Sequence, residues 1–139
     1  MLDAPKIVRE LLTKTGTALY SHVGTRVYSP MAPSSFRNTE KAIVFQVSGG
    51  ARDFTLDIAS VTVDVMCFGG NGTVPSWAKA EEVHHALLSS VMGNANANAM
   101  CASGWSLSVD EVMTGQQVVQ KETQYPYVWV VFEIELAAL

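Results

Sequence analysis

Charged residues are scarce in this chain. Only 16% of its 139 residues are Asp, Glu, Lys or Arg, against about 25% in an ordinary soluble domain. The nine Lys and Arg residues are scattered along the sequence. Strong nucleic-acid binding is therefore not expected, because such binding depends on neutralising phosphates with a basic patch. A surface with so few charges favours a component of an assembly, in which other subunits cover part of the surface.

Long apolar runs and a cysteine framework are also missing. No stretch reaches the roughly 18 apolar residues of a membrane-spanning helix. The N-terminus has an acid at Asp3 and no apolar run before Arg9, so no signal peptide is predicted. Cys67 and Cys101 stand without further cysteines, and we expect free thiols in a protein made in a reducing cytoplasm.

What is present is apolar: 48% of the residues are hydrophobic, enough for one domain with a real core. The clearest element is the run from Leu56 to Phe68, which Gly and Pro do not interrupt. Its residues alternate between two faces, as side chains of a strand do. Val61, Val63, Val65 and Cys67 fall on one face, and Thr62, Asp64, Met66 and Phe68 on the other. This run predicts a long strand at the centre of a sheet.

The other predicted elements follow from the same periodicities. They are a helix over 4–21 with Asp3 as its cap and Pro5 in its first turn, strands over 26–28 and 42–48, a helix over 75–92, a strand starting at Trp105, and a last strand over 127–136. The order α-β-β-β-α-β-β predicts an α+β fold, with a largely antiparallel sheet of about five strands and two helices on one face.

The domain is predicted to span residues 1–139, with mobile loops near 30–41, 93–104 and 114–125, because these segments are polar and rich in turn formers. The sheet face away from the helices should be partly solvated. Strand alternation places one set of polar side chains there, and its three ionisable members are all acids. The set is Gln46, Thr62, Asp64, Glu133 and Glu135.

His84 and His85 are candidate metal ligands, because Glu81 precedes His84 by three residues and Glu82 precedes His85 by three residues. Adjacent helical residues point about 100° apart, and a metal site also needs further ligands brought close. We therefore expect His84 at the edge of the core, His85 in solvent, and no metal or cofactor.

Catalytic motifs are not evident either. Gly69–Gly72 lies between a strand and a helix, where phosphate loops occur, but it lacks the G-K-[ST] ending and predicts a turn. No Ser, Cys or Thr has a nucleophile-elbow context. Asp64, Glu133 and Glu135 could pair for acid–base chemistry, but an exposed sheet face is the commoner place for such residues. No catalytic residue and no enzyme are predicted.

Several segments carry a resemblance to a known family. They are Arg26–Pro30 with the Pro-containing loop after it, Ile43–Ser48, Val61–Val65, the helical Ala80–Val83 and Ala86–Leu88, and the terminal Val131–Glu135. In these the chain resembles the tail terminator proteins of long-tailed bacteriophages, which are also called tail completion or tail-to-head joining proteins. Lys41-Ala42 replaces the Pro-Tyr pair that often opens the second strand in that family.

The resemblance implies a virion structural protein that forms a ring of about six subunits. The ring caps the tail tube, stops its polymerisation and joins it to the head-completion (stopper) connector protein, while DNA passes through the lumen. Asp64, Glu133 and Glu135 are then candidates to line the lumen, or they are simply solvated outer residues. The alternatives are another phage neck or tail subunit, such as a head-closure or tube protein, and a small bacterial ligand-binding domain or enzyme.

Overall fold

The sheet dominates the structure. A computed structural model describes residues 2–70, 77–89 and 100–138. Its elements are α1 Ala4–Leu12, α2 Ala18–Val23, β1 Val27–Tyr28, β2 Lys41–Asp53, β3 Ile58–Gly69, α3 Ala78–Leu87, β4 Met100–Cys101, β5 Gly104–Val119 and β6 Pro126–Ala138. The six described strands form one sheet in the order β1-β2-β3-β6-β5-β4.

Every neighbouring pair of strands in that sheet is antiparallel except β1 and β2. The predicted α+β class and the largely antiparallel sheet are confirmed. The prediction of about five strands corresponds to the sheet without β4, a two-residue strand that has no alternation of its own. The long strand predicted from Leu56 is β3, and it pairs with β2 on one side and β6 on the other.

The predicted N-terminal helix is in fact two helices. Asp3 caps α1 as expected, since its Oδ1 accepts a hydrogen bond from the Lys6 amide at 3.3 Å. The helix then stops, and Gly16 takes a left-handed φ of 83°, a conformation that glycine adopts at little cost. Thr17 caps α2 by accepting from the Tyr20 amide at 3.2 Å. The apolar spacing continues across this break, and it concealed the change of direction.

One core joins all three described helices to one face of the sheet. The inward residues of β3 and β6 alternate with outward ones, and the helices bury Ile7, Leu11, Leu19, Val83 and Leu87 against them. Phe45 and Phe132 are the largest fully buried side chains. Burying such side chains contributes roughly 1.5–3 kcal/mol each, so this layer is what holds the helices on the sheet.

The β2–β3 hairpin is longer than predicted. Gly49-Gly50 was expected to end the second strand, but β2 continues through them to Asp53 with a register shift between Ser48 and Gly50. At Gly50 the strands approach so closely that an added Cβ would lie 1.6 Å from the Ser60 carbonyl oxygen. Glycine here permits a bulge inside the hairpin rather than a turn.

The loop predicted near 114–125 is largely strand. Residues 114–119 belong to β5 and pair with β6 as far as Val119 opposite Pro126. A short turn follows, closed by the Gln120 amide donating to the Tyr125 carbonyl at 2.8 Å. Antiparallel backbone pairing explains the difference, because it does not require apolar side chains. Of the 93–104 loop, residues 93–99 lie outside the described residues, as do the predicted helix ends at 75–76 and 90–92.

Candidate functional site

The face of the sheet opposite the helices is the candidate site, and we call it the open face. Strand register brings the predicted polar residues together on it. Gln46 lies opposite Asp64 in the β2–β3 ladder. Thr62 lies opposite Glu133, and Ser60 opposite Glu135, in the β3–β6 ladder. The open-face positions of the described strands carry no Lys or Arg, so the field above this part of the sheet is negative.

Asp110 is an open-face acid that the sequence analysis missed. It lies directly opposite Glu133 in the β5–β6 ladder. The register of β5 shifts between Ser106 and Ser108, and this shift changes which residues face inward. Unbroken alternation would put Trp105 and Leu107 on the same face as Val109, but Ser106 is buried and Trp105 is 38% exposed. Alternation from the inward-facing Val109 puts the next residue, Asp110, on the open face, and this was the one feature of the sequence that could have revealed it.

The other end of the open face is aromatic and covered. Phe36, from the loop before β2, packs edge-to-face on Phe68 with ring centroids 5.3 Å apart. Phe68 in turn contacts Tyr127 at 5.2 Å, and partial burial raises the pKa of the Tyr127 hydroxyl. Asn38 is buried nearby and accepts from the Gly70 amide at 3.0 Å. The loop expected to be poorly tied to the core is therefore attached to the sheet at these points.

Both sides of the sheet have long stretches of strand without an outer partner among the described strands. On one side β1 pairs only with Ile43 and Val44 of β2. On the other side β4 pairs only with Gly104 and Trp105 of β5. Unpaired strand edges are templates for pairing with another chain unless bulges disrupt them. The register shifts along β5 disrupt its edge in this way. The β2 strand has a single shift, so its edge is the better template for pairing.

The turn between β2 and β3 carries exposed apolar side chains. Phe54 is 77% exposed and Leu56 is 65% exposed. The Arg52 guanidinium lies 5.7 Å from the centre of the Phe54 ring. The Asp53 carboxylate accepts from the amides of Thr55 and Leu56, which fixes the turn. An ordered turn that presents two large apolar groups is a suitable contact site for another protein surface.

The two cysteines and the adjacent histidines lie away from the open face or on the helix side of the sheet. Cys67 is fully buried, and burial raises the pKa of its thiol far above the usual value, so this thiol is a core residue. Cys101 is a half-buried free thiol. His84 is buried and His85 exposed, as predicted, and the Glu81 carboxylate lies beside both. Among the described helices, none has both the length and the apolar character to cross a membrane.

Comparison with known proteins adds a fold relationship. No protein-family model and no curated protein sequence matches the chain. A solved structure described as the virion of a native gene transfer agent particle contains a chain with a similar fold. The TM-score is 0.59 and the sequence identity is 17%, and the match covers 94% of this chain and 92% of that chain. At this identity the likeness establishes a shared fold along nearly the whole of both chains.

Proposed function

We propose that this protein is a structural component of a phage-like virion. The observation that carries the proposal is the fold shared, over 94% of this chain, with a chain of a gene transfer agent virion. The low charge fraction of 16% supports it, because such a surface suits burial between subunits. The protein acts in this proposal through surfaces rather than through catalysis, and it needs no cofactor.

Within the virion, we propose the role of a tail terminator. The chain forms a ring of about six copies on the last ring of the tail tube. One side of the ring resembles the end of the tube and binds it. The other side does not bind a further tube ring and binds the head-completion connector instead. A tube that grows by head-to-tail stacking does not close on itself, so such a ring is what stops it. The protein is made in the host cytoplasm and ends at the head–tail junction.

The features described above supply surfaces for a ring. The edge of β2 after Val44, which has no partner among the described strands, and the apolar turn at Phe54 and Leu56 are suited to contact a neighbouring copy. Trp129 is half-buried on the open face and is not needed for the core. Polar loops are suited to contact the rings above and below, and the loop near 30–41, the segment near 93–104 and the turn at 120–125 are proposed to make these contacts.

The open face is proposed to line the channel. Asp64, Glu133 and Glu135 share it, and Asp110 extends the acidic area. A negative wall repels the phosphates of DNA, so DNA passes without being held, whereas a basic wall would bind it through counterion release. DNA contact in this proposal is transient and independent of sequence.

Removing the gene from a producing phage or particle tests the role. A terminator's absence gives tails longer than the normal length and filled heads without tails, and a plasmid copy of the gene restores both. A missing tube protein would instead leave no tube, and a missing head-closure protein would leave tails of normal length beside emptied heads. Either of those two results would replace the terminator role with the corresponding subunit.

Electron microscopy of intact particles gives an independent test. Antibody or a fused tag on this chain should label only the head–tail junction, and mass measurement of the isolated junction should give close to six copies. Labelling along the whole tail would indicate a tube protein. Particles without this chain would contradict the virion assignment itself.

A further inference from the structure

Three metal-ligand atoms converge beside α3, where the helix meets solvent at the edge of the core. The Glu81 Oε2 atom lies 3.3 Å from His84 Nδ1 and 3.7 Å from His85 Nε2. One donor atom from each of the three residues lies within 4.8 Å of the other two. Glu81 precedes the histidines by three and four residues, the spacings that bring helical side chains together. Adjacent histidines point apart, but a carboxylate one turn earlier lies between them.

We propose that Glu81, His84 and His85 bind one divalent transition-metal ion, with zinc as the best-matched metal. Zn–N and Zn–O bonds of about 2.0–2.2 Å in a tetrahedron place neighbouring ligand atoms about 3.3 Å apart. The Glu81–His84 distance already has that value, and the Glu81–His85 distance is 3.7 Å. The ligand atoms of the two histidines lie within 4.8 Å of each other, so rotation of the exposed His85 side chain has to close the site. Two imidazoles and one carboxylate suit zinc, nickel or copper better than calcium or magnesium.

The orientation of His84 is the second observation that points to a ligand. Its side chain is 10% exposed, and its Nε2 atom is buried with no hydrogen-bond partner among the described residues. Glu111 of β5 brings a carboxylate oxygen to 3.9 Å from that atom. A histidine that binds metal through one ring nitrogen usually donates the other N–H to a carboxylate. A metal on Nδ1 leaves the proton on Nε2, where it faces Glu111.

Gly115 of β5 keeps the His84 ring in this position. An added Cβ at Gly115 would lie 2.6 Å from His84 Cε1 and 2.9 Å from Nδ1. The glycine therefore leaves space for the ring edge between α3 and the sheet. On the other side, the His85 side chain is 74% exposed, so the remaining coordination position is open to water or to a ligand from another molecule.

All three proposed ligands lie on α3, and Glu111, whose carboxylate faces His84, belongs to β5. The metal site is independent of the proposed ring, since all four side chains belong to one copy of the chain. The alternative is that Glu81 only forms ion pairs with protonated histidines, and metal binding separates the two interpretations.

Titration of the purified full-length chain with Co²⁺ is the test, with zinc added afterwards as competitor. The expected result is visible absorption typical of four-coordinate cobalt, saturating at one ion per chain and displaced by zinc. His85→Ala and Glu81→Gln should each weaken binding at least tenfold. His85 is exposed and Glu81 is half-buried without contributing to the apolar core, so these variants should fold, and circular dichroism checks that they do.

Three matched variants sharpen the result. His22→Ala removes the remaining histidine, on α2, and Cys101→Ser removes the half-buried thiol, and neither should change cobalt affinity. Glu111→Gln should weaken binding about tenfold while the stoichiometry stays at one, as loss of an outer-shell partner does. Failure to bind cobalt or zinc at 100-micromolar concentration (about the weakest useful affinity for a resident ion) would overturn the proposal. Unchanged binding in His85→Ala, or lost binding in His22→Ala or Cys101→Ser, would also overturn it.

Discussion

Asp110 of β5 and Glu133 of β6 lie directly opposite each other on the open face. Like charges at such positions destabilise a sheet. Ser60 donates a hydrogen bond from Oγ to Glu133 Oε1 at 3.2 Å, which orients that carboxylate without neutralising it. The open-face positions of the described strands offer no Lys or Arg to compensate. A local arrangement that costs stability is a reason to look for function on this face.

Replacing Asp110 by Asn should therefore stabilise the fold. Removing one of two opposed charges should raise the free energy of unfolding by about 0.2–1 kcal/mol at low salt. The gain should shrink as ionic strength rises, because exposed charges are screened. Urea unfolding at low and high salt measures this gain in the free energy of unfolding. Glu122→Gln, at an exposed position in the turn after β5, removes the same charge away from Glu133 and should show no such gain. Equal effects of the two substitutions would contradict the pairing.

The adjacent glycines of β2 provide a matched pair for the hairpin geometry. A Cβ at Gly50 would overlap the Ser60 carbonyl, whereas a Cβ at Gly49 would meet nothing within 4 Å. Gly50→Ala should lower the free energy of unfolding by about 2 kcal/mol or more, since backbone atoms must move to admit the methyl group. Gly49→Ala should be close to neutral or slightly stabilising, because it restricts the unfolded chain. Similar unfolding curves for both variants would show that the strands do not approach as described.

The sequence predicted the parts of the fold in which apolar periodicity is strong. The β3 and β6 strands alternate over their whole length, and their register places Asp64 beside the strand that carries Glu133 and Glu135. Where apolar periodicity predicted the wrong element or face, local backbone geometry determines the structure. Gly16 breaks a continuous apolar stripe into two helices, and the extra residue at Leu107 shifts the faces of β5.

The candidate sites divide in the same way. Positions on the open face follow from alternation, so Asp64, Glu133 and Glu135 were found. Asp110 follows inward-facing Val109, and the same alternation would have placed it on the open face. The proximity of Glu111 to His84 depends on how α3 lies across β5, and residue spacing within one helix does not contain that information. Contacts between elements far apart in sequence are what sequence patterns predict least.

The pair of Lys41 and Glu82 should show a defined pH dependence. Lys41 Nζ lies 2.7 Å from Glu82 Oε2, and this hydrogen bond, with the lysine charge, lowers the pKa of the Glu82 carboxyl below its usual 4.5. Since the folded pKa is the lower one, the stabilisation is present above pH 4.5 and disappears as pH falls through the folded value. NMR titration should give a higher pKa for Glu82 in Lys41→Ala. An unchanged pKa would mean that the two side chains do not interact in solution.

The lining of the channel can be tested by reversing charge on the open face. Glu133 and Glu135 are both exposed, so changing them together to Lys should alter the free energy of unfolding little, since exposed substitutions usually change it by under about 0.5 kcal/mol each. Particles with this variant should assemble but eject DNA more slowly, because lysines in the wall would hold phosphates. The delay should be largest at low salt and fade as salt rises.

A control with the same change of charge uses two residues outside the strands of the open face, of which Glu122 lies beside the covered, aromatic end of that face. Glu40, in the loop before β2, and Glu122, in the turn after β5, are exposed, and changing both to Lys should leave ejection at the normal rate. Glu40 lies 3.6 Å from Arg26, but an exposed ion pair contributes little to stability. If the Glu133 and Glu135 variant assembles and ejects at the wild-type rate in low salt, the open face does not line the channel. If both variants slow ejection equally, the effect comes from total charge rather than from this face.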